Sequence, residues 1–312
     1  MGLDKFRKLI LTAREDHYHD SPNYKKEGPK IHFDLSGYDI LFWEPGKFNE
    51  FKEDLEKRIK RRKATLISST PSSPWDDEWF SKQREIAYAG LKEIGYTGFM
   101  EINMTLIGQK PNILQTELLS ATNQAPIHTF GWPIGVVLNN RDEYRPRATT
   151  DGIVAEIKIN DPSGRKSYDY WTIRRDGTFY LLMNLFEDMG KSGYIYFNTR
   201  IVRITETLLY AVRLYSSLKV PLDSKILIGI RHGGLKNRIL SASDGGHMIY
   251  YSKTIENEVY TEVETTLEKI EANLVDLVGE FINPLFIVFD FFTISKDGLE
   301  NYVNNFVEGR CI

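Results

Sequence analysis

A single cysteine, Cys311, stands next to last in a chain of 312 residues, so neither an internal disulfide nor a thiolate metal cage is available. A terminal thiol is a poor nucleophile, and redox chemistry drops out with it. Long apolar runs are equally scarce: none approaches the roughly 20 residues that cross a bilayer. The opening "MGLDKFRKLILTARED" is too charged for a secretory signal. A cytoplasmic protein without a membrane partner is expected. Charge of one sign is missing too, since the formal net charge is −3 with 27% charged residues. That balance excludes a dedicated nucleic-acid binder, and any basic surface must be local. Gly-x-x-x-x-Gly-Lys-Ser/Thr, Gly-x-Gly-x-x-Gly, His-Glu-x-x-His and Gly-x-Ser-x-Gly are all absent. "SASDGGHM" sets Ser241 and Ser243 near Asp244 and His247, but neighbours in sequence do not make a triad, and the stretch reads as a loop.

What is present is a core-forming composition, 41% hydrophobic and 12% aromatic. Proline and glycine punctuate the first part, where "SPNYKKEGPK" and "FWEPGK" bracket "IHFDLSGYDILF", enough for one or two short strands. Phe48, Phe51, Leu55 and Ile59 then fall at helical steps, predicting an amphipathic helix with one packed face. "SSTPSSP", residues 68–74, reads as a linker between a small α/β part, residues 1–67, and a larger domain, residues 75–312. Ser73-Pro74 followed by "WDDEW" predicts a helix start, with the helix running to about Ile94. "GFMEINMTLI" alternates like a half-buried strand, and "NILQTELLSATN" suggests a short helix. From Gly131 on, "WPIGVVLN", "GIVAEIKIN", "YDYWTIR" and "TFYLLMNLF" predict an antiparallel meander, with Asp176-Gly177 as a hairpin dipeptide. Ile201, Thr205, Leu208, Val212, Tyr215 and Leu218 form the clearest helical stripe, stopped by Pro221. "KILIGIRHGGLKNRIL" and "NEVYTEVETTL" add β-segments before a helical stretch near "LEKIEANLVDLVGEFI" and an aromatic tail. The fold class is therefore α+β: a mainly antiparallel sheet with a long amphipathic helix packed on it, preceded by a smaller α/β N-terminal part.

Four stretches carry candidate chemistry. In "TTDGIVAEIKIND", Glu156 and Lys158 share one face of a strand, as in nucleases where two carboxylates hold Mg²⁺ and a lysine positions water. Asp151 lies an odd five residues before Glu156, so Asp142 or Glu143 would have to supply the second carboxylate. The same alternation is what any strand with one wet face shows. "KRIKRRK" offers Lys57, Arg58, Lys60, Arg61, Arg62 and Lys63 to phosphates, yet Glu50, Glu53, Asp54 and Glu56 precede it and complement the helix dipole. "IRHGGLKNR" gathers Arg231, His232, Lys236 and Arg238 about two glycines, an anion-binding turn or, more simply, a hairpin turn. "DHYHD" places His17 and His19 beside Asp16 and Asp20, with His32 later, but no third ligand is well spaced and no metal site is assigned. No cofactor is expected, except Mg²⁺ if the nuclease reading holds.

"HTFGWPIGVV", "DGIVAEI", "YDYWTIRRDGTFYLLMNLFED", "RIVRITETLLYAVRLYSSL" and "ILIGIRHGGLKNRIL" follow one another as in the C-terminal region of prokaryotic proteins that begin with a Schlafen/AlbA-type domain. The resemblance spans about residues 126–240, and the AlbA-type domain itself is not found in residues 1–125. It implies a regulator or host-defence component, and it makes Trp132, Tyr170, Trp171, Phe179 and Tyr180 core or recognition surface. The function expected is a non-enzymatic sensing or partner-binding module of a prokaryotic regulatory or defence system. A protein partner fits that role, and nucleic acid or a second copy of the chain remains open. A Mg²⁺-dependent nuclease and an anion or nucleotide sensor are the alternatives.

Overall fold

The computed structural model describes residues 11–28, 40–69, 73–128, 131–161, 166–190, 193–243 and 248–310, with the side chains at 11, 61–69 and 248–252 left out. The chain divides into two compact units, Met1–Ser73 and Pro74–Ile312. In the first, β1 (Leu11–Arg14) pairs in parallel with β2 (Ile40–Trp43), and α1 (Phe48–Ser69) follows. Trp43 meets Phe48 and Phe51 at ring distances of 6.0 and 5.9 Å. The packed face is thin, because Phe48 remains 64% exposed and Ile59 38%. Helix α1 runs through Ser68 and Ser69, so the expected linker begins later than its composition suggested. Most of "IHFDLSGYDILF" lies outside the described residues.

The second unit is built on a seven-stranded sheet of β3 (Phe99–Leu106), β4 (Arg147–Ala148), β5 (Gly152–Asn160), β6 (Lys166–Arg174), β7 (Phe179–Asn184), β9 (Lys225–Gly233) and β12 (Glu258–Thr266). The order is β12-β9-β3-β7-β6-β5-β4, and every neighbour is antiparallel. A small second sheet joins β8 (Tyr194–Tyr196), β10 (Ile239–Ser241) and β11 (Met248–Lys253). With its helices, the unit is α+β. Among the described residues, no helix is long and apolar enough to cross a membrane.

Period-two alternation sends Met100, Ile102, Trp171, Ile173, Phe179, Leu181, Ile228 and Ile230 to one face of the sheet, where α4 (Phe197–Ser217) lies. Around α4 gather α3 (Gln115–Gln124), α5 (Leu267–Ala272), α6 (Leu274–Ile287) and α7 (Lys296–Val307). The other face holds Phe99, Tyr168, Tyr170, Tyr180 and Leu182 against α2 (Asp77–Glu93). Strand β3 is therefore buried along its whole length rather than on one face. It is central, and both of its faces are covered.

The expected stripe is buried from Ile201 to Tyr215, with Leu218 half-buried just past the end of α4, but so are Asn198, Arg200, Arg203 and Glu206. Each fully buried aliphatic of that helix stabilises the fold by about 1.5–3 kcal/mol relative to exposure. Helix α4 ends before Pro221 is reached: Lys219 turns left-handed at φ 59°, Val220 N–H donates to the Tyr215 carbonyl at 3.0 Å, and Lys219 N–H to that of Ser216 at 2.9 Å. Helix α2 starts three residues after the expected site, capped by the Asp76 carboxylate on Trp79 N–H instead of by Ser73. "WPIGVVLN" is not a strand but a loop pinned from three sides, as its hydrogen bonds show below. Gly233 and Gly234 make no hairpin: β9 pairs with β3 and β12, while β10 leaves for the small sheet.

Candidate functional site

Between the sheet and the first turns of α4 lies a cavity of about 510 Å³. Its sheet side is formed by Ser167 and Asp169 of β6, Met183 and Asn184 of β7, and Ile159 of β5. Arg200 and Arg203 of α4 close the opposite side. Gly131, Trp132, Leu138 and Arg141 come from the loop before β4, and Phe186 and Met189 from a 3-10 turn after β7. Apolar and aromatic walls with a few converging polar groups are the usual make-up of a small-molecule site.

The loop is held open by bonds its sequence makes easy to miss. Arg203 Nη1 donates to the Trp132 carbonyl at 2.8 Å, Ile134 N–H donates to Glu206 Oε1 at 2.7 Å, and Trp171 Nε1 donates to the Val136 carbonyl at 2.8 Å. Gly135 adopts φ 66° against the Tyr210 ring, a place where a Cβ would lie 2.3 Å from the phenol oxygen. Only glycine meets both demands.

A buried charge cluster surrounds the cavity. Arg200 Nη2 donates to Glu187 Oε2 at 3.1 Å, and Glu187 Oε1 accepts from Tyr196 N–H at 2.7 Å, tying the 3-10 turn to the start of α4. Arg203 pairs with Glu206 at 2.7 Å, and Arg238 with Asp188 at 2.6 Å. Asp169 is the fourth acid. Among the described residues its Oδ1 has no hydrogen-bond partner, and neither has Nε of Arg200, although both groups are buried. Burial pushes the Asp169 carboxyl up to about 8, with Arg203 pulling it down and Glu206 pushing it further up. Glu206 is raised by burial against the pull of Arg203, and Arg200 is lowered by burial. Strand register carries the row further: Ile157, Asp169, Met183, Met100 and His232 are successive cross-strand partners. His232 is buried with Nε2 unpartnered, and burial, then Arg200, holds it well below its ordinary value, so it is neutral at pH 7.

The residues singled out from sequence lie elsewhere or apart. Glu156 and Lys158 do share the α2 face of β5, 4.0 Å apart. Glu156 accepts from the Tyr168 hydroxyl at 3.0 Å, and Lys158 is ion-paired with Glu93. Asp142 is exposed and pairs with Arg145 at 3.4 Å, Glu143 is exposed, and exposed Asp151 precedes β5 with its carbonyl accepting from Arg175 N–H. Among the described residues, no group of three or more His, Cys, Asp or Glu is placed to hold a metal ion. The anion set is split by the pleat: Arg231 faces α2, 3.2 Å from Glu258 and over the Tyr260 ring, while His232 faces α4. Lys236 is exposed, and Arg238 is locked to Asp188 and the Gly234 carbonyl. On α1, Lys57 bonds Asp54 at 3.1 Å, Arg58 is half-buried and Lys60 exposed; the side chains of Arg61, Arg62 and Lys63 lie outside the described residues. His19 bonds Asp20 at 2.9 Å and His17 lies 3.6 Å from Asp16, while His32 and residues 244–247 are outside the described residues. Compared with family models, with curated proteins and with solved structures, the chain matches none of them.

The charged residues of the cavity, Asp169, Arg200 and Arg203, escaped the sequence reading although two signals mark them. Asp169 has the strand parity of Trp171 and Ile173, an acid on an apolar face. Arg200, Arg203 and Glu206 sit at three-residue steps in the first half of a helix that is otherwise mostly apolar. Of the aromatic set, Trp171 and Phe179 pack under α4, Tyr170 and Tyr180 under α2, and Trp132 lines the cavity.

Proposed function

We propose that the protein is a non-enzymatic sensing module that binds a small organic ligand in the cavity between β6, β7 and the start of α4. The observation that carries this is the pair of buried polar atoms without partners among the described residues, Asp169 Oδ1 and Arg200 Nε, on residues that line a cavity of about 510 Å³. Leaving such groups unsatisfied costs about 1–3 kcal/mol each, and a ligand that bonds both recovers that cost. Trp132, Leu138, Phe186 and Met189 supply apolar contact for its body. Glu187 links the cavity to the backbone of Tyr196 at the head of α4, so occupancy bears directly on the central helix of the unit.

The resemblance of residues 126–240 to the C-terminal region of Schlafen/AlbA-type regulators supports a prokaryotic regulatory or defence setting in the cytoplasm, where a protein partner reads the loaded state. The test is a thermal-shift screen of the full chain against a metabolite library. Ligands that stabilise the protein should lose their effect in Leu138→Trp, which fills the cavity from its half-buried loop side. Ligands that shift both proteins equally would contradict a site in this cavity.

A further inference from the structure

We infer that the ligand of this cavity is a monoanion on an apolar or aromatic body, a carboxylate or a phosphodiester, held by Arg200 and Arg141 and by the Asp169 carboxyl acting as a hydrogen-bond donor. The inference rests on the cavity being a ligand site. Among the described residues, three guanidinium groups line the space against one carboxyl, because Glu187 and Glu206, which pair with Arg200 and Arg203, are not part of the lining. Arg200 Nε is a buried donor with no acceptor among the described residues, and an acceptor on the ligand completes it. An anion makes that bond charge-assisted, and so about twice as strong as a neutral one.

Burial raises the Asp169 carboxyl, and the charges of the buried cluster run the same way. Arg200, Arg203 and Arg238 are each matched by an acid, namely Glu187, Glu206 and Asp188, and His232 on the same cross-strand row is neutral. Among the described buried groups of this cluster, Asp169 is the acid left without a cation, Arg141 being exposed, and protonation leaves the buried cluster neutral. Among the described residues, the charged groups set around it are Arg200 and Arg203 of α4 and Arg141 of the loop, which line the same cavity, and Glu206, which pairs with Arg203. From the neighbouring strands it meets only Ile157 and Met183 in register. A protonated carboxyl donates to an anion, and exposed Arg141 at the side of the cavity supplies the charge that balances it. One negative charge is accommodated; two would leave a buried excess. The apolar remainder of the ligand lies against Trp132, Phe186 and Met183.

The test uses the full chain and a matched series of cinnamate, cinnamamide and cinnamylamine, with indoleacetate and a cyclic nucleoside monophosphate to separate carboxylate from phosphodiester. Calorimetry should show the anions binding and the amine not. Affinity should stay level from pH 6 to about 7.5, then weaken about tenfold per pH unit above about 8 as Asp169 loses its proton. Asp169→Asn keeps a donor without a titrating proton, so it should bind anions at pH 7 and lose the pH dependence. Arg141→Gln, at an exposed position, should weaken anions about three- to tenfold without lowering the melting temperature. Preference for the amine or the amide, or anion binding that strengthens above pH 8, overturns the inference while leaving a ligand site in place. If neither this series nor a broad library binds, the ligand-site reading falls and the inference with it.

Discussion

Replacing Asp169 with asparagine isolates one buried proton and reads it as stability. In the folded protein, burial holds this carboxyl up at about 8, against an ordinary value of 3.8. The unfolded chain therefore releases a proton that the folded chain keeps. The stability that Asp169 contributes is full below pH 3.8 and is lost progressively as pH rises to about 8. At about 1.4 kcal/mol per pH unit, the loss between pH 5 and pH 8 is on the order of 3–4 kcal/mol. Asparagine has nearly the same shape and no proton to release. Urea unfolding of both proteins, followed by circular dichroism across that range, should show Asp169→Asn gaining on the wild type by that amount as pH increases. Contributions from Glu206 and the other buried acids are common to both proteins and largely cancel. A stability difference that stays flat with pH would refute the reasoning, because it would mean that Asp169 titrates normally in the folded state.

Three further outcomes follow from the packing. Arg84→Ala strips the paired donors from Glu101, whose carboxylate is fully buried with Nε of Arg84 at 2.9 Å; about 3–5 kcal/mol of unfolding free energy should be lost, and a loss under 1 kcal/mol in urea would mean that Arg231, at 3.9 Å, takes over. Gly135→Ala should cost at least about 2 kcal/mol through its left-handed backbone and the Tyr210 contact, whereas Gly46→Ala, with open space around it, should stay within about 0.5 kcal/mol; equal melting temperatures for the two would contradict the loop geometry. Lys158→Ala removes an ion pair that is a third exposed on the lysine side, so stability should change by less than about 1 kcal/mol, and wild-type protein given Mg²⁺ or Mn²⁺ should leave DNA and RNA intact; cutting that Lys158→Ala abolishes would restore the nuclease alternative.

Elements whose signal is local were legible in the chain. The stripe of α4, the alternation of β5, the antiparallel meander of β5 to β7 and the Asp176-Gly177 turn depend on neighbours a few residues away, and they fold as the pattern indicates. What failed depends on partners distant in sequence. Strand β3 reads as half-buried because Glu101 and Asn103 are polar, yet Arg84 and Tyr88 from α2 reach Glu101 and allow the second face to be covered. "WPIGVVLN" has strand composition, but Arg203, Glu206 and Trp171 take up its backbone groups before another strand can. The site was lost for the same reason. Asp169, Arg200 and Met189 stand on three separate elements, and only the layering of α4 over β6 and β7 gives them a common space. Conversely, "IRHGGLKNR" and Glu156-Ile157-Lys158 drew notice because their charges are adjacent in sequence, and strand parity then sent Arg231 and His232 to opposite faces.

The most direct test of a ligand site beneath α4 is calorimetric titration of the wild type and Leu138→Trp with the strongest stabiliser from the screen. Saturable binding at one site per chain, abolished in Leu138→Trp at an unchanged melting temperature, is the expected result. Equal binding by both proteins would contradict it.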